Sequence, residues 1–151
     1  MTKLSRPCRM VLDDANREAT ARDATHLRGE HLLMSLVAHR TRAAGRVLAA
    51  MAITEADIHS CLGFIDGGAP AHDPVSHVLP LSPRAERILL AAEQECVKRG
   101  ATEIGTIHLL FGLLAERNGL AVFALEEPGV GLERLGAAVQ TAYREKWEDG
   151  E

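Results

Sequence analysis

Apolar positions along this chain fall at three- and four-residue intervals, which is the period of an amphipathic helix. Val11, Leu12, Ala15 and Ala19 form one such stripe, and Ile88, Leu89, Ala92 and Cys96 form another. Two denser runs follow them: Leu32-Leu33 with Leu36-Val37, and Leu109-Leu110 with Leu113-Leu114. Apolar pairs one turn apart make a wide stripe, so these two segments, about 29–39 and 106–116, are expected to be the central helices. Ser5 and Ser82 stand just ahead of the first stripes as N-caps, and Pro83 suits a first helical position, where its missing N–H is not needed. Further helices are expected over about 43–52 and 120–127, and over about 55–65 and 132–146. Thr54 ahead of Asp57 has the form of a capping box, with Asp in place of the longer Glu. Alternating β-branched runs are absent from the sequence, so no strand is expected and the fold class is all-α.

The stripes recur because the chain is written twice. Residues 5–58 align on 82–135 without a gap at an offset of 77, with 15 identities in 54 positions, among them Ser5/Ser82, Glu18/Glu95, His31/His108, Leu32/Leu109 and Leu48/Leu125. The expected organisation is a single domain over 1–151, with one repeat at 4–65, a connector at 66–80 and a second repeat at 81–146. Two four-helix units related by a pseudo-twofold then give a bundle of eight helices. The connector, with its glycines and prolines, reads as a surface loop.

A chain of 151 residues, 46% of them hydrophobic, can bury one substantial core. Its three cysteines, Cys8, Cys61 and Cys96, are far apart and lie in helical segments, which fits buried thiols in a reducing compartment. The first 25 residues carry charges at short intervals and contain no apolar signal segment, so a cytoplasmic location is expected, away from membranes. Residues 1–65 hold nine Lys/Arg against seven Asp/Glu, and 76–151 hold eight against twelve. Neither half has the basic excess that a phosphate backbone requires, which argues against a nucleic-acid partner. The residual alternative is a helical DNA-binding regulator, resting on Arg40, Arg42 and Arg46 near the third helix.

No catalytic chemistry emerges. The sequence lacks a phosphate-binding loop of the G-x-x-x-x-G-K-[ST] kind. The glycines at 63, 67 and 68 have no strand before them and no helix directly after. His72, His77 and Asp73 match no metal-ligand spacing and read as solvated loop residues. No cysteine is visibly paired with a base. His31 and His108, kept at equivalent helix starts, read as satisfied structural residues. Expected, therefore, is a non-enzyme with no cofactor and no metal.

The residues around those histidines carry a resemblance. Leu81-Ser-Pro-Arg-Ala-Glu-Arg-Ile-Leu89, followed by Ile104-Gly-Thr-Ile-His-Leu-Leu-Phe-Gly-Leu-Leu114, resembles the repeat signature of the Clp N-terminal domain. Leu4-Ser-Arg-Pro-Cys-Arg-Met-Val-Leu12 and Arg28-Gly-Glu-His-Leu-Leu-Met-Ser-Leu36 match it more loosely. That module caps AAA+ unfoldases such as ClpC and ClpA. The resemblance implies a non-catalytic module that recruits or sequesters protein substrates, adaptors or peptide ligands for a ClpC-like unfoldase, cyclic peptide antibiotics among them. The given sequence carries no ATPase ring, and its charged final residues resemble a natural terminus; a free-standing protein is the expectation, with a piece of a longer chain as the alternative.

In the ClpC branch the resemblance further implies phosphoarginine binding in each repeat, with phosphate at the Ser/Thr-capped helix start and the guanidinium on a Glu. Free N–H groups at a helix start attract a dianion, and a carboxylate pairs with a planar cation through two hydrogen bonds. Carried over, Ser5 and Glu30 form the first site, with Arg6 adding charge where Pro7 removes an N–H. Ser82 belongs to the second, where Ile107 replaces the carboxylate.

Overall fold

The computed structural model describes residues 2–58, 78–116 and 131–149. Ser5 starts α1 (Arg6–Ala21), its Oγ accepting from Cys8 N at 3.2 Å, and Ser82 starts α4 (Pro83–Lys98), accepting from Ala85 N at 3.1 Å. Between them lie α2 (Gly29–Ala38) and α3 (Ala43–Ala50), and after them α5 (Thr106–Ala115) and α6 (Leu132–Arg144). Residues 55–58 are also helical, and Thr54 and Asp57 cap each other's backbone N–H at 3.2 and 3.1 Å, the reciprocal box expected there. The fold is all-α. Residues 66–77 of the expected connector, residues 59–65 of the helix expected over 55–65, the expected helix at 120–127, and the residues Cys61, His72, Asp73 and His77 lie outside the described residues.

The two leucine-rich helices are central. Leu32, Leu33, Leu36, Leu109, Leu110 and Leu113 are buried, and α5 touches α1, α2, α3, α4 and α6. Removing such side chains from water is the main favourable contribution to folding, roughly 1.5–3 kcal/mol for each.

Equivalent residues do equivalent work in both repeats. His31 Nδ1 accepts from Arg28 N at 3.0 Å, and His108 Nδ1 accepts from Gly105 N at 2.8 Å, each closing its helix's first turn. Glu18 pairs with Arg22 at 2.9 Å, and Glu95 with Arg99 at 2.8 Å. Helices α1 and α4 end alike, on left-handed Asp23 (φ 58°) and Gly100 (φ 72°). Past those turns, Ala24 N and Ala101 N each donate at 3.0 Å to carbonyls of the last helical turn, the Schellman arrangement.

One expectation needs correction, since two short strands are present. Lys3–Leu4 (β1) pairs in parallel with Glu103–Ile104 (β2), and Leu27 bridges Leu81. Two residues are too few to show an alternating pattern. At the offset of 77, Leu4 corresponds to Leu81 and Leu27 to Ile104, so the two bridges are the same contact related by the pseudo-twofold. Each runs from one repeat to the other. Ser5 N donates to Ile104 O and Ser82 N to Leu27 O, both at 2.9 Å.

Candidate functional site

The crossed bridges decide which residues meet. Each bridge joins the segment leading into the first helix of one repeat to the segment entering the second helix of the other. A cleft at a first-helix start is therefore walled by the opposite repeat.

One cleft, of about 430 Å³, is lined by His26, Arg28, Gly29 and Glu30 from the first repeat and by Ser82, Pro83, Arg84 and Arg87 from the second. The other, of about 960 Å³, contains Ser5, Arg6, Gly105 and Ile107, together with the segment after α6. This corrects the within-repeat grouping: Glu30 shares its cleft with Ser82, whereas Ser5 and Arg6 share theirs with Ile107. The exchange of strands is the physical reason, and sequence offset alone carries no sign of it.

The Ser82–Glu30 cleft combines both charges. Glu30 is almost fully buried on the first turn of α2, where the helix dipole favours a carboxylate. Opposite it, Arg84 and Arg87 converge on the single carboxylate of Glu116, at 3.4 and 3.0 Å. The Arg87 hydrogen bond, ahead of the opposing effect of partial burial, holds the Glu116 carboxyl below its usual range. Two guanidinium groups share one anion, and Arg28, on the first-repeat side with Glu30, adds a third cation to the cleft. Arg84 Nε is buried, and its 3.4 Å approach to Glu116 is an ion pair without good hydrogen-bond geometry. Arg28 and Arg87 went unnoticed in the sequence because only the crossing places them together.

The cleft holding Ser5 has another character. Ile107 offers it only apolar surface. Cys8, one turn into α1, is fully buried; burial first, then the charge of Asp149, pushes its thiol up to about 12. Cys96 is also buried and its thiol is raised, mainly by burial. Both are inert thiols, as their helical setting suggested. Among the described residues no group of His, Cys, Asp and Glu is arranged to hold a metal, and no helix is long and apolar enough to cross a membrane. Arg42 and Arg46, which prompted the DNA-binding alternative, are engaged instead by main-chain carbonyls of Asp149 and Glu148.

A duplicated helical repeat with crossed entry strands defines the class of protein. The chain belongs to the Clp repeat N-terminal domain family, whose model matches residues 3–127 and 81–148. It is 35% identical over 100 residues to the chloroplastic chaperone protein ClpC of Pisum sativum, covering 66% of this chain and 11% of that one. It is 28% identical over 124 residues to the negative regulator of genetic competence ClpC/MecB of Bacillus subtilis, covering 82% and 15%. The chain thus spans roughly a tenth to a seventh of the length of these relatives. In fold it is similar to the N-terminal domain of ClpD from Arabidopsis thaliana, with a TM-score of 0.76, 20% identity and coverage of 94% and 95%. The N-domain of ClpV from Vibrio cholerae gives 0.70 at 15% identity, covering 94% and 86%.

Proposed function

We propose that this chain is a non-catalytic recruitment module that binds protein substrates or adaptors for a ClpC-like AAA+ unfoldase. Within it, the Ser82–Glu30 cleft takes a phosphoarginine side chain. The observation that carries this reading is the cleft's paired chemistry: a buried carboxylate on one wall, with a capped helix start and a cationic excess on the other. The phosphate would lie at the start of α4 against Arg84 and Arg87, and Glu30 would hold the guanidinium in a bidentate pair. In the cleft containing Ser5 and Arg6, Ile107 stands where the other cleft has Glu30, so the surface at the start of α1 is assigned general apolar peptide contact, the kind of surface a cyclic peptide would also use.

Immobilised chain should retain an arginine-phosphorylated protein and release it with free phosphoarginine, while the dephosphorylated protein passes through. A ClpC-like ATPase should be recovered from the native cytosol on the same resin. Equal retention of both protein forms would refute the phosphoarginine assignment, and failure to recover the ATPase or its clients would refute the recruitment role.

A further inference from the structure

Neither Arg42 nor Gly105, the residues at the N-cap positions of α3 and α5, supplies a side-chain hydrogen bond to its helix. One carboxylate serves both. Asp149 Oδ1 accepts from Ala43 N and Oδ2 from Thr106 N, each at 3.0 Å, so the first N–H groups of two helices from different repeats converge on a single anion. Thr106, fully buried, donates its hydroxyl to Asp149 Oδ1 and accepts from Ala44 N at 3.1 Å. Arg42 Nη1 donates to Asp149 O at 2.9 Å.

The residues before Asp149 lie along the same wall. Lys146, at φ 55°, ends α6 in a left-handed turn, with Trp147 N donating to Ala142 O at 2.9 Å, and this turn sends the chain back over the bundle. Arg46 binds Glu148 O and stacks its guanidinium 5.2 Å from the Trp147 ring centroid. A Cβ on Gly105 would stand 3.1 Å from Asp149 Oδ2, so the glycine leaves room for the carboxylate.

We propose that Trp147-Glu148-Asp149 is a tethered ligand in an acidic-peptide slot, and that the slot accepts the same chemistry, an aromatic residue followed by carboxylates, from another protein when the tethered segment leaves. The slot has the parts such a segment needs: two convergent helix starts and a buried hydroxyl for the carboxylate, Arg42 for the main chain, and Arg46 for the ring. It lies in the Ser5–Ile107 cleft and does not depend on Glu30.

The test uses the whole chain and a capped, fluorophore-labelled peptide of the sequence Arg-Glu-Lys-Trp-Glu-Asp. Anisotropy should show at least tenfold tighter binding to the Asp149→Ala chain than to the native chain, and loss of that gain on adding Arg42→Glu. The Glu30→Ala background should leave both results unchanged, which separates this slot from the phosphoarginine cleft. Equal binding to native and Asp149→Ala chains, or none to the latter at millimolar peptide, would overturn the exchange. Trp147 is the sole tryptophan, so its emission reports the docked segment directly. It should shift to the red in Asp149→Ala and also in Gly105→Ala, which crowds the carboxylate without removing a charge; unchanged emission in both overturns the docking itself.

Discussion

His108 shows how much one repeated residue can decide. Because a backbone N–H can only donate, its Nδ1 must be unprotonated to cap α5. Burial, the largest influence, lowers its pKa from the ordinary 6.5, outweighing the opposing charges of Asp149 and Glu95. The folded chain therefore binds this proton less readily than the unfolded chain. Its contribution to stability is complete above pH 6.5 and is lost progressively as pH falls below that value. Denaturant midpoints should thus fall between pH 7 and 5, and His108→Gln, which can still accept at the N3 position, should flatten that slope. An unchanged slope would show that His108 does not titrate differently on folding. The left-handed positions give a second prediction at this scale. Asp23 occupies the place where the other repeat has Gly100, so Asp23→Gly should stabilise the chain modestly, by about 0.5–1 kcal/mol, read as a rise in the urea midpoint.

Among the elements, the two central helices meet their neighbours differently. Ser35 Oγ on α2 donates to Val11 O on α1 at 2.6 Å. At the equivalent place α5 has Gly112, where a Cβ would fall 2.3 Å from Ile88 O on α4, so these two helices sit closer than any side chain allows. Gly112→Ala must force them apart and should cost about 1–3 kcal/mol, while Ser35→Ala should lose one buried hydrogen bond, about 0.5–1.5 kcal/mol. Chemical denaturation of the two variants checks the order. Most helix positions were legible because their signals are local: a serine cap, an apolar stripe and, at Thr54–Asp57, a capping box. The strands were not, since their whole signal is a pairing between residues a hundred positions apart, with only two residues on each side.

At the scale of the molecule, duplication was readable from a constant offset, and with it the fold and the family. The grouping of site residues was not. Ser5, Arg6, Glu30 and Ser82 were all singled out, yet assigning them by repeat joined Ser5 to Glu30. The crossed bridges Leu4–Ile104 and Leu27–Leu81 join Ser82 to Glu30 instead, across the pseudo-twofold. Partners such as Asp149 with Thr106 and Ala43 were equally invisible, because they unite three segments far apart in sequence.

The composite cleft is the central claim, and calorimetric titration with free phosphoarginine tests it most directly. The account predicts one site per chain, weakened by about 1.5–3 kcal/mol in Glu30→Ala, the usual worth of a hydrogen bond to a charged group. Ser82→Ala should weaken the same site, and Ser5→Ala should leave it unchanged. Two equal sites, or a single site lost with Ser5→Ala and untouched by Ser82→Ala, would contradict it.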